Sequence, residues 1–140
     1  MKSQTTSFVI SLCLAIGLAV VPAYAQRCGV QAKVPFNFVV LGKTFPAGEY
    51  TMIPAPHQLR IEDGKGTLIA MVLTNEMSGR SVGKNGQIIF HCYGDRCFLS
   101  ELWSPAQENG RQLLTSRTEA GLAKEQKGKY FALLAEKPRQ

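Results

Sequence analysis

The sequence has few of the residues and motifs that carry catalysis. It contains two histidines and four cysteines among 140 residues. No Gly-x-Ser-x-Gly elbow marks a serine nucleophile, and "GRSVGKNG" lacks the Gly-Lys-Ser/Thr ending of a phosphate-binding loop. Glu49, Glu62 and Glu101 are far apart along the chain, so no local pattern predicts the carboxylate pair of a glycosidase. We predict no catalytic residues and no cofactor, and favour a non-enzymatic role over an enzymatic one.

Long apolar runs are also scarce, and the one that matters for targeting lies at the N-terminus. Lys2 precedes an apolar stretch over residues 8–21, and an Ala-Tyr-Ala tripeptide ending at Ala25 matches the small-x-small pattern of signal peptidase. The stretch is short for a membrane span of about 20 residues. We predict a cleaved signal peptide at residues 1–25, export to the periplasm or the extracellular space, and no membrane span after cleavage. A retained anchor is the alternative.

Acidic residues are the minority charge, at 10 against 16 Lys and Arg. The mature chain, residues 26–140, has a length that suits a single domain, and no repeat or linker divides it. Its basic residues are scattered, without the stripe typical of nucleic-acid readers. The charge therefore favours an anionic envelope polymer or lipid as partner, and no nucleic acid. A basic surface without a specific partner is the alternative.

The mature sequence is typical of short antiparallel strands. Alternating apolar residues predict a strand over 34–40, with Pro35 near its start, and Pro46 and Gly48 form a turn into a second strand. Residues 58–62 and 67–74 are expected to form a hairpin around Asp63-Gly64. A polar loop over 78–87 precedes another hairpin, formed by 87–93 and 96–103.

The C-terminal part predicts one helix. Ser116 and Glu119 match a capping box, in which each side chain satisfies an amide of the other residue. Gly128 suits the end of this surface helix. For residues 129–136 we favour a short closing strand over a second helix. Six or seven strands with one late helix predict an all-β fold, either a small antiparallel sandwich or a barrel.

Residues 90–99, "FHCYGDRCFL", place two cysteines and a histidine around a Gly-Asp pair. With Gly94 and Asp95 as a two-residue hairpin loop, Cys92 faces Cys97 in a non-hydrogen-bonded pair, whose α-carbons lie about 4.5 Å apart. That distance is at the short end of the disulfide range, and export favours oxidation. The leading interpretation is a hairpin closed by a Cys92–Cys97 disulfide.

Three other interpretations of this stretch remain open. A zinc site lacks ligands, because His91 would point away from Cys92 on a strand and His57 lies in a Pro-flanked loop. A redox pair normally has Cys-x-x-Cys at a helix N-terminus, whereas here four residues separate two cysteines in a predicted hairpin. Two free thiols are the last alternative. We expect no metal.

Cys28 is the odd member of the three cysteines in the mature chain. It has three open fates. It could bridge two copies into a homodimer, pair with Cys92 or Cys97, or remain an unpaired thiol without a role.

Aromatic residues give one further candidate site. Tyr93, Phe98, Trp103 and Tyr130 are candidate ligand-facing aromatics, since rings with one polar handle suit a surface that stacks sugars. Packing in the core is the alternative for all four.

Four blocks of the sequence resemble a known family. They are "VPFNFVVLGKTFPAGEYTM", "MVLTNE", "IIFHCYGDRCFLSELWSP" and "GRQLLTSRTEAGLA", and they cover about residues 33–125. They resemble small exported proteins of diderm soil bacteria that share Val-Pro-Phe-x-Phe, Pro-Ala-Gly-x-Tyr and Phe-His-x-Tyr-Gly-Asp-Arg blocks. That family has no assigned activity, so the resemblance implies no functional residue. Its hairpin often has other residues at Cys92 and Cys97, which implies a structural disulfide and not a shared catalytic centre.

The sequence supports two main functional hypotheses. The first is a binding or structural module at the cell envelope. The second is a small β-barrel that carries an apolar or lipid ligand in its lumen. The carrier would need Phe36, Phe38, Ile88 and Phe90 to line a cavity, and a solid interior would argue against it.

Overall fold

The fold is built almost entirely from strands. The computed structural model describes residues 29–79, 85–105 and 108–136. These residues form ten strands and one helix, which confirms the all-β prediction with a single C-terminal helix. The elements are β1 (Val30–Val34), β2 (Phe38–Val40), β3 (Lys43–Phe45), β4 (Gly48–Ala55), β5 (Gln58–Asp63), β6 (Leu68–Ser78), β7 (Gln87–Tyr93), β8 (Arg96–Trp103), β9 (Asn109–Leu113), α1 (Arg117–Glu125) and β10 (Lys129–Leu134).

The strand pairings run around a barrel. The order is β1-β4-β5-β6-β9-β8, followed by β7 on the other edge of β8 and by β10 on β7. Just after β10, the backbone N–H of Glu136 donates to the carbonyl oxygen of Gln31 in β1 at 2.8 Å, which returns the wall to its first strand. The β2–β3 hairpin attaches to β8 through a parallel pairing of β2.

Apolar side chains fill the barrel interior. Phe36, Phe38, Ile88 and Phe90, which the carrier hypothesis placed around a lumen, belong to one packed cluster. The ring centroids of Phe36 and Phe90 are 5.1 Å apart, and those of Phe38 and Phe90 are 5.6 Å apart. Edge-to-face contacts at such distances are favourable. These four side chains therefore form core and do not surround an open lumen.

The β7–β8 hairpin has the predicted bounds and register. Gly94 takes a φ of 60°, and the following Asp95 is not in the positive-φ region, as a type II′ loop requires. Tyr93 pairs with Arg96, and Cys92 pairs with Cys97. The loop alone fixes these pairings, because a two-residue connection leaves one register for the flanking residues.

The predicted strand over 34–40 is divided into two. β1 ends at Val34 and β2 begins at Phe38. Pro35 has no N–H for a ladder, and the side-chain oxygen of Asn37 accepts from the backbone N–H of Ala47 at 3.1 Å. The alternation of apolar residues continues through this bend, so the pattern did not reveal it.

Two strands were not predicted at all. β3 and β9 are short, and their sequences, KTF and NGRQL, are mostly polar. β6 is longer than expected and continues to Ser78. Residues 80–84 of the predicted polar loop lie outside the described part of the chain, as do residues 1–28 with the predicted signal peptide.

The helix begins as predicted but ends earlier. The Ser116 Oγ accepts from the backbone N–H of Glu119 at 3.2 Å, and α1 ends at Glu125, three residues before Gly128. A Cβ at Gly128 would lie 2.7 Å from the Tyr93 ring, so this glycine serves a close approach and not a helix cap. The closing strand favoured for 129–136 is present as β10. No helix in the described ranges is long and apolar enough to cross a membrane.

Candidate functional site

The cysteine pair of the β7–β8 hairpin is a disulfide. Cys92 and Cys97 are joined with an S–S distance of 2.08 Å, which confirms the predicted pairing. Neither sulfur is therefore a free thiolate able to hold a metal or attack a disulfide. Within residues 29–79, 85–105 and 108–136, no group of three or more His, Cys, Asp or Glu side chains converges to hold a metal. Cys28 lies outside these ranges, so the Cys28-linked homodimer stays a prediction.

The four candidate aromatics do not form a common exposed surface. Tyr93, Phe98 and Trp103 are buried, whereas Tyr130 is 73% exposed. The Trp103 indole N–H donates to the Glu101 carboxylate at 2.9 Å. Tyr130 stands edge-on to the His91 ring, with centroids 4.1 Å apart. The rings therefore offer no shared stacking face for a sugar.

The barrel wall is interrupted beside β8. One edge of β8 pairs with β7, while the other edge is divided between two strands. β2 pairs with Cys97 and Phe98, and β9 pairs with the segment from Glu101 to Trp103. β6 pairs with β9 only from Thr74 onward. Between β2, the end of β9 and the middle of β6, the wall therefore has a gap.

An apolar groove occupies this gap. Its volume is about 380 Å³, within the range of about 300–1,000 Å³ that small-molecule sites span. Its lining includes buried core residues, among them Val40, Val72 and Leu99. It also includes four large exposed apolar residues: Leu41, Met71, Leu73 and Leu114. Contiguous exposed apolar surface of this kind marks binding sites more often than scattered single residues do. We refer to this space, together with the residues that line it, as the groove.

Leu41 occupies a conformation that rarely suits leucine. It is the first residue of the two-residue loop between β2 and β3, with a φ of 52°, and Gly42 follows with a φ of 75°. Such loops favour Asn, Asp or Gly at both positions, and a bulky residue at positive φ is strained. Leu41 is nevertheless 68% exposed. The turn therefore holds an apolar side chain in solvent at the edge of the groove, which local structure does not require.

A buried polar cluster anchors the helix beside the groove. Glu119 of α1 lines the groove, and its Oε1 lies 3.4 Å from the His91 Nδ1 on β7. Its carboxylate also bonds to the Tyr93 side chain. The capping box is thus only half formed, because the Glu119 side chain turns to β7 and not back to Ser116. These contacts fix the start of α1, which forms one end of the groove.

Burial sets the protonation of this cluster. Desolvation raises the pKa of Glu119 above its ordinary value, while His91 and the bond from Tyr93 act in the opposite direction. Desolvation also raises the pKa of Tyr93, and the nearby Glu119 charge adds to that shift. The Nε2 atom of His91 is buried without a hydrogen-bond partner in the described structure. Because the buried Glu119 carboxylate contacts two side chains of β7, the geometry of the cluster indicates anchoring of the helix.

Three basic residues lie near residues that line the groove. Lys43, Arg96 and Arg117 are exposed. Lys43 lies two residues beyond Leu41, Arg117 follows the groove residue Ser116, and the Arg96 guanidinium lies 5.6 Å from the ring centroid of Phe98. Phe98 itself lines the groove. These basic side chains attract anionic groups to this part of the surface, while the charged residue in the lining itself, Glu119, is acidic.

A second cavity of about 240 Å³ is lined by polar groups that bond to one another. The Asn109 side-chain amide donates to the Glu76 carboxylate at 2.8 Å, and Arg111 lies 3.9 Å from the same carboxylate. Because its charged groups are already paired, this cavity offers a ligand less than the groove does.

The residue pattern of β6 indicates the groove, although no strand was predicted to border one. In β6, the exposed Met71 and Leu73 alternate with the buried Val72 and Thr74. A strand with one solvated face normally has polar residues on that face. Apolar residues on both faces of β6, together with a leucine in a tight turn, point to a covered or ligand-binding surface.

Comparisons with protein-family models, with curated proteins and with solved structures find no match for this chain. No family is therefore assigned, and the candidate site rests on the geometry of the groove.

Proposed function

We propose that the protein is an exported, non-enzymatic binding module that takes up apolar groups in the groove. One observation carries this proposal: four large, exposed apolar side chains border a gap that reaches the core at Val72 and Leu99. Removing such surface from water is favourable at about 25 cal/mol per Å². A ligand that fills the gap would gain this free energy without rearranging the barrel.

Export and the cell envelope as its site of action rest on two supporting features. The apolar N-terminal stretch with its Ala-Tyr-Ala motif is typical of a signal peptide, and disulfides persist mainly in oxidising compartments. The basic residues around the groove favour ligands that carry an anionic group beside their apolar part. The proposal joins the binding-module hypothesis with the carrier hypothesis. The protein binds an apolar ligand, but in the wall of the barrel and not in its lumen.

A matched pair of variants tests the proposal. Leu73 lines the groove and is 66% exposed, whereas Leu134 lies on β10 and is 65% exposed. Binding of anilinonaphthalenesulfonate, an anionic apolar fluorophore, is followed by fluorescence titration of wild type, Leu73→Ser and Leu134→Ser. We expect Leu73→Ser to weaken binding roughly tenfold, the effect of losing about 1.4 kcal/mol of apolar contact. Leu134→Ser should leave binding unchanged.

Absence of binding by the folded wild type would contradict the proposal. Equal weakening by both variants would do the same, because the fluorophore would then bind exposed leucines without regard to the groove. Circular dichroism of each variant establishes that it is folded.

A further inference from the structure

Among the strands in the described part of the chain, none pairs with β6 on the side of the groove before Thr74. The backbone N–H of Thr74 donates to the His57 carbonyl at 3.0 Å, on the side of β5. Backbone groups alternate in direction along an antiparallel strand, so Val72 also faces β5 while Met71 and Leu73 face the other way. The N–H and C=O groups of Met71 and the N–H of Leu73 are therefore directed at the groove, while the Leu73 C=O lies at the end of the β6–β9 pairing.

This edge lacks the features by which proteins protect free strand edges. Charged residues, prolines and bulges usually prevent such an edge from pairing with another chain. The segment from Met71 to Leu73 contains neither charge nor proline, and the irregularity in the β5–β6 ladder lies earlier, at the pairing of Ile61 and Glu62. The edge is therefore competent to accept another strand.

The groove thus offers two kinds of contact, apolar side chains and main-chain hydrogen-bonding groups. An acyl chain can make only the apolar contacts. It would also exclude water from the backbone groups of Met71 and Leu73, and each polar group left without a hydrogen bond costs free energy. An extended peptide satisfies both. Strand addition gains affinity from main-chain hydrogen bonds and specificity from pockets for alternate side chains.

Building on the proposed function, we infer that the groove receives an extended polypeptide segment that adds to the free edge of β6. Alternate side chains of such a segment face the groove, so they must be apolar to contact Val40, Val72 and Leu99. Lys43, Arg96 and Arg117 lie near residues that line the groove, which favours acidic residues at the ends of the segment. The partner is therefore an unfolded or extended stretch of protein with alternating apolar residues and acidic flanks.

The first test uses three synthetic peptides. In the parent peptide, valine alternates with threonine between terminal aspartates. The other two are identical except that alternate backbone amides are N-methylated, each in one of the two possible patterns. N-methylation in each of the two alternate patterns removes the main-chain donors of one edge of the peptide and retains its side chains. We expect calorimetry to detect binding of the parent peptide, and one methylation pattern to weaken it at least tenfold. Equal affinity of all peptides would overturn strand addition.

Decanoate and anilinonaphthalenesulfonate, titrated in parallel, separate this inference from the proposed function. If they bind in a Leu73-dependent manner and the parent peptide does not bind, strand addition is wrong while the apolar site stands. If neither they nor the peptide bind, both conclusions fail. Leu134→Ser should leave the affinity for the peptide unchanged. If Leu73→Ser also leaves it unchanged, the peptide binds outside the groove and the inference is overturned.

Amide hydrogen exchange tests the edge residue by residue. In the free protein, the amides of Met71 and Leu73 should exchange much faster than those of Val72 and Thr74, which face β5. Addition of the parent peptide should slow Met71 and Leu73 selectively. Strong protection of Met71 and Leu73 before any peptide is added would mean that the edge is not free, and would overturn the inference.

Discussion

The two edges of β8 differ in a way that separates structure from candidate function. One edge pairs with β7 from Arg96 to Trp103, and a disulfide joins the two strands near the loop. The other edge is shared by β2 and β9, which leaves the gap that β6 does not close. The paired edge satisfies its backbone groups and covers its apolar side chains. The divided edge leaves both incompletely covered, and it is here that we propose a ligand binds.

The largest expected effect is on the closed side of the barrel. Phe90→Ala removes a fully buried ring that contacts Phe36 and Phe38, and we expect a loss of about 3–5 kcal/mol in the free energy of unfolding. Val40→Ala, beside the groove, should cost clearly less, because it removes two methyl groups instead of a ring and the remaining space adjoins the groove. Urea unfolding of both variants measures this contrast. Equal losses would mean that the wall at Val40 is as tightly packed as the barrel interior.

Removal of the disulfide should give the next largest effect. The bridge closes a loop with a sequence separation of 5, for which chain entropy gives a stabilisation of about 2 kcal/mol. The double variant Cys92→Ser/Cys97→Ser should lose about that amount in urea unfolding and keep its affinity for anilinonaphthalenesulfonate. Loss of binding in a folded variant would show that the hairpin contributes to the site, against the separation of the two edges.

Replacement of Glu119 tests the anchoring of α1 through its pH dependence. Burial raises the pKa of this carboxyl above the ordinary value of 4.5 in the folded protein. At pH values between the ordinary pKa and the raised pKa of the folded protein, Glu119 is protonated in the folded state and ionised in the unfolded state. Its contribution to the free energy of unfolding therefore decreases as pH rises through that range. Wild type should therefore lose stability relative to Glu119→Gln as pH rises above about 4.5.

Urea unfolding of both proteins over a series of pH values measures this difference. The opposite slope, with wild type gaining on the variant, would indicate that the contacts from His91 and Tyr93 outweigh the burial of the carboxyl. A difference independent of pH would mean that the pKa of Glu119 is the same in the folded and unfolded states.

Leu41 offers the smallest and most specific effect. Asn is favoured over leucine at positive φ, so Leu41→Asn should raise the free energy of unfolding by about 1 kcal/mol or less. It should also weaken binding in the groove, because an exposed apolar contact is lost. A gain in stability without loss of binding would show that Leu41 does not contribute to the site.

The local sequence predicts the pairing of β8 with β7 but not its pairings with β2 and β9. A Gly-Asp loop between two apolar stretches fixes the bounds, register and cysteine pairing of β7 and β8, since all of these depend on neighbouring residues. The groove combines Leu41, Leu73 and Leu114, which come from three distant segments. Their proximity follows from the order of strands in the barrel, which periodicity does not specify.

The fate of Glu119 shows the same limit on a smaller scale. The spacing from Ser116 predicts a capping box, and the half of it that depends on the backbone of α1 is present. The other half is absent because His91 and Tyr93 of β7 offer the carboxylate buried partners. Helix formation is a local property of this sequence, whereas the orientation of that side chain is decided by the strand on which the helix packs.

The most direct test of the central claim is methyl NMR of the selectively labelled protein during titration with decanoate. If the wall is open between β6 and β2 and accepts apolar groups, the methyl signals of Val40, Val72 and Leu99 should shift together and saturate. That of Val30 in β1, which is buried and does not line the groove, should remain in place. A shift at Val30 of the same size, or none at the three groove methyls, would contradict the account.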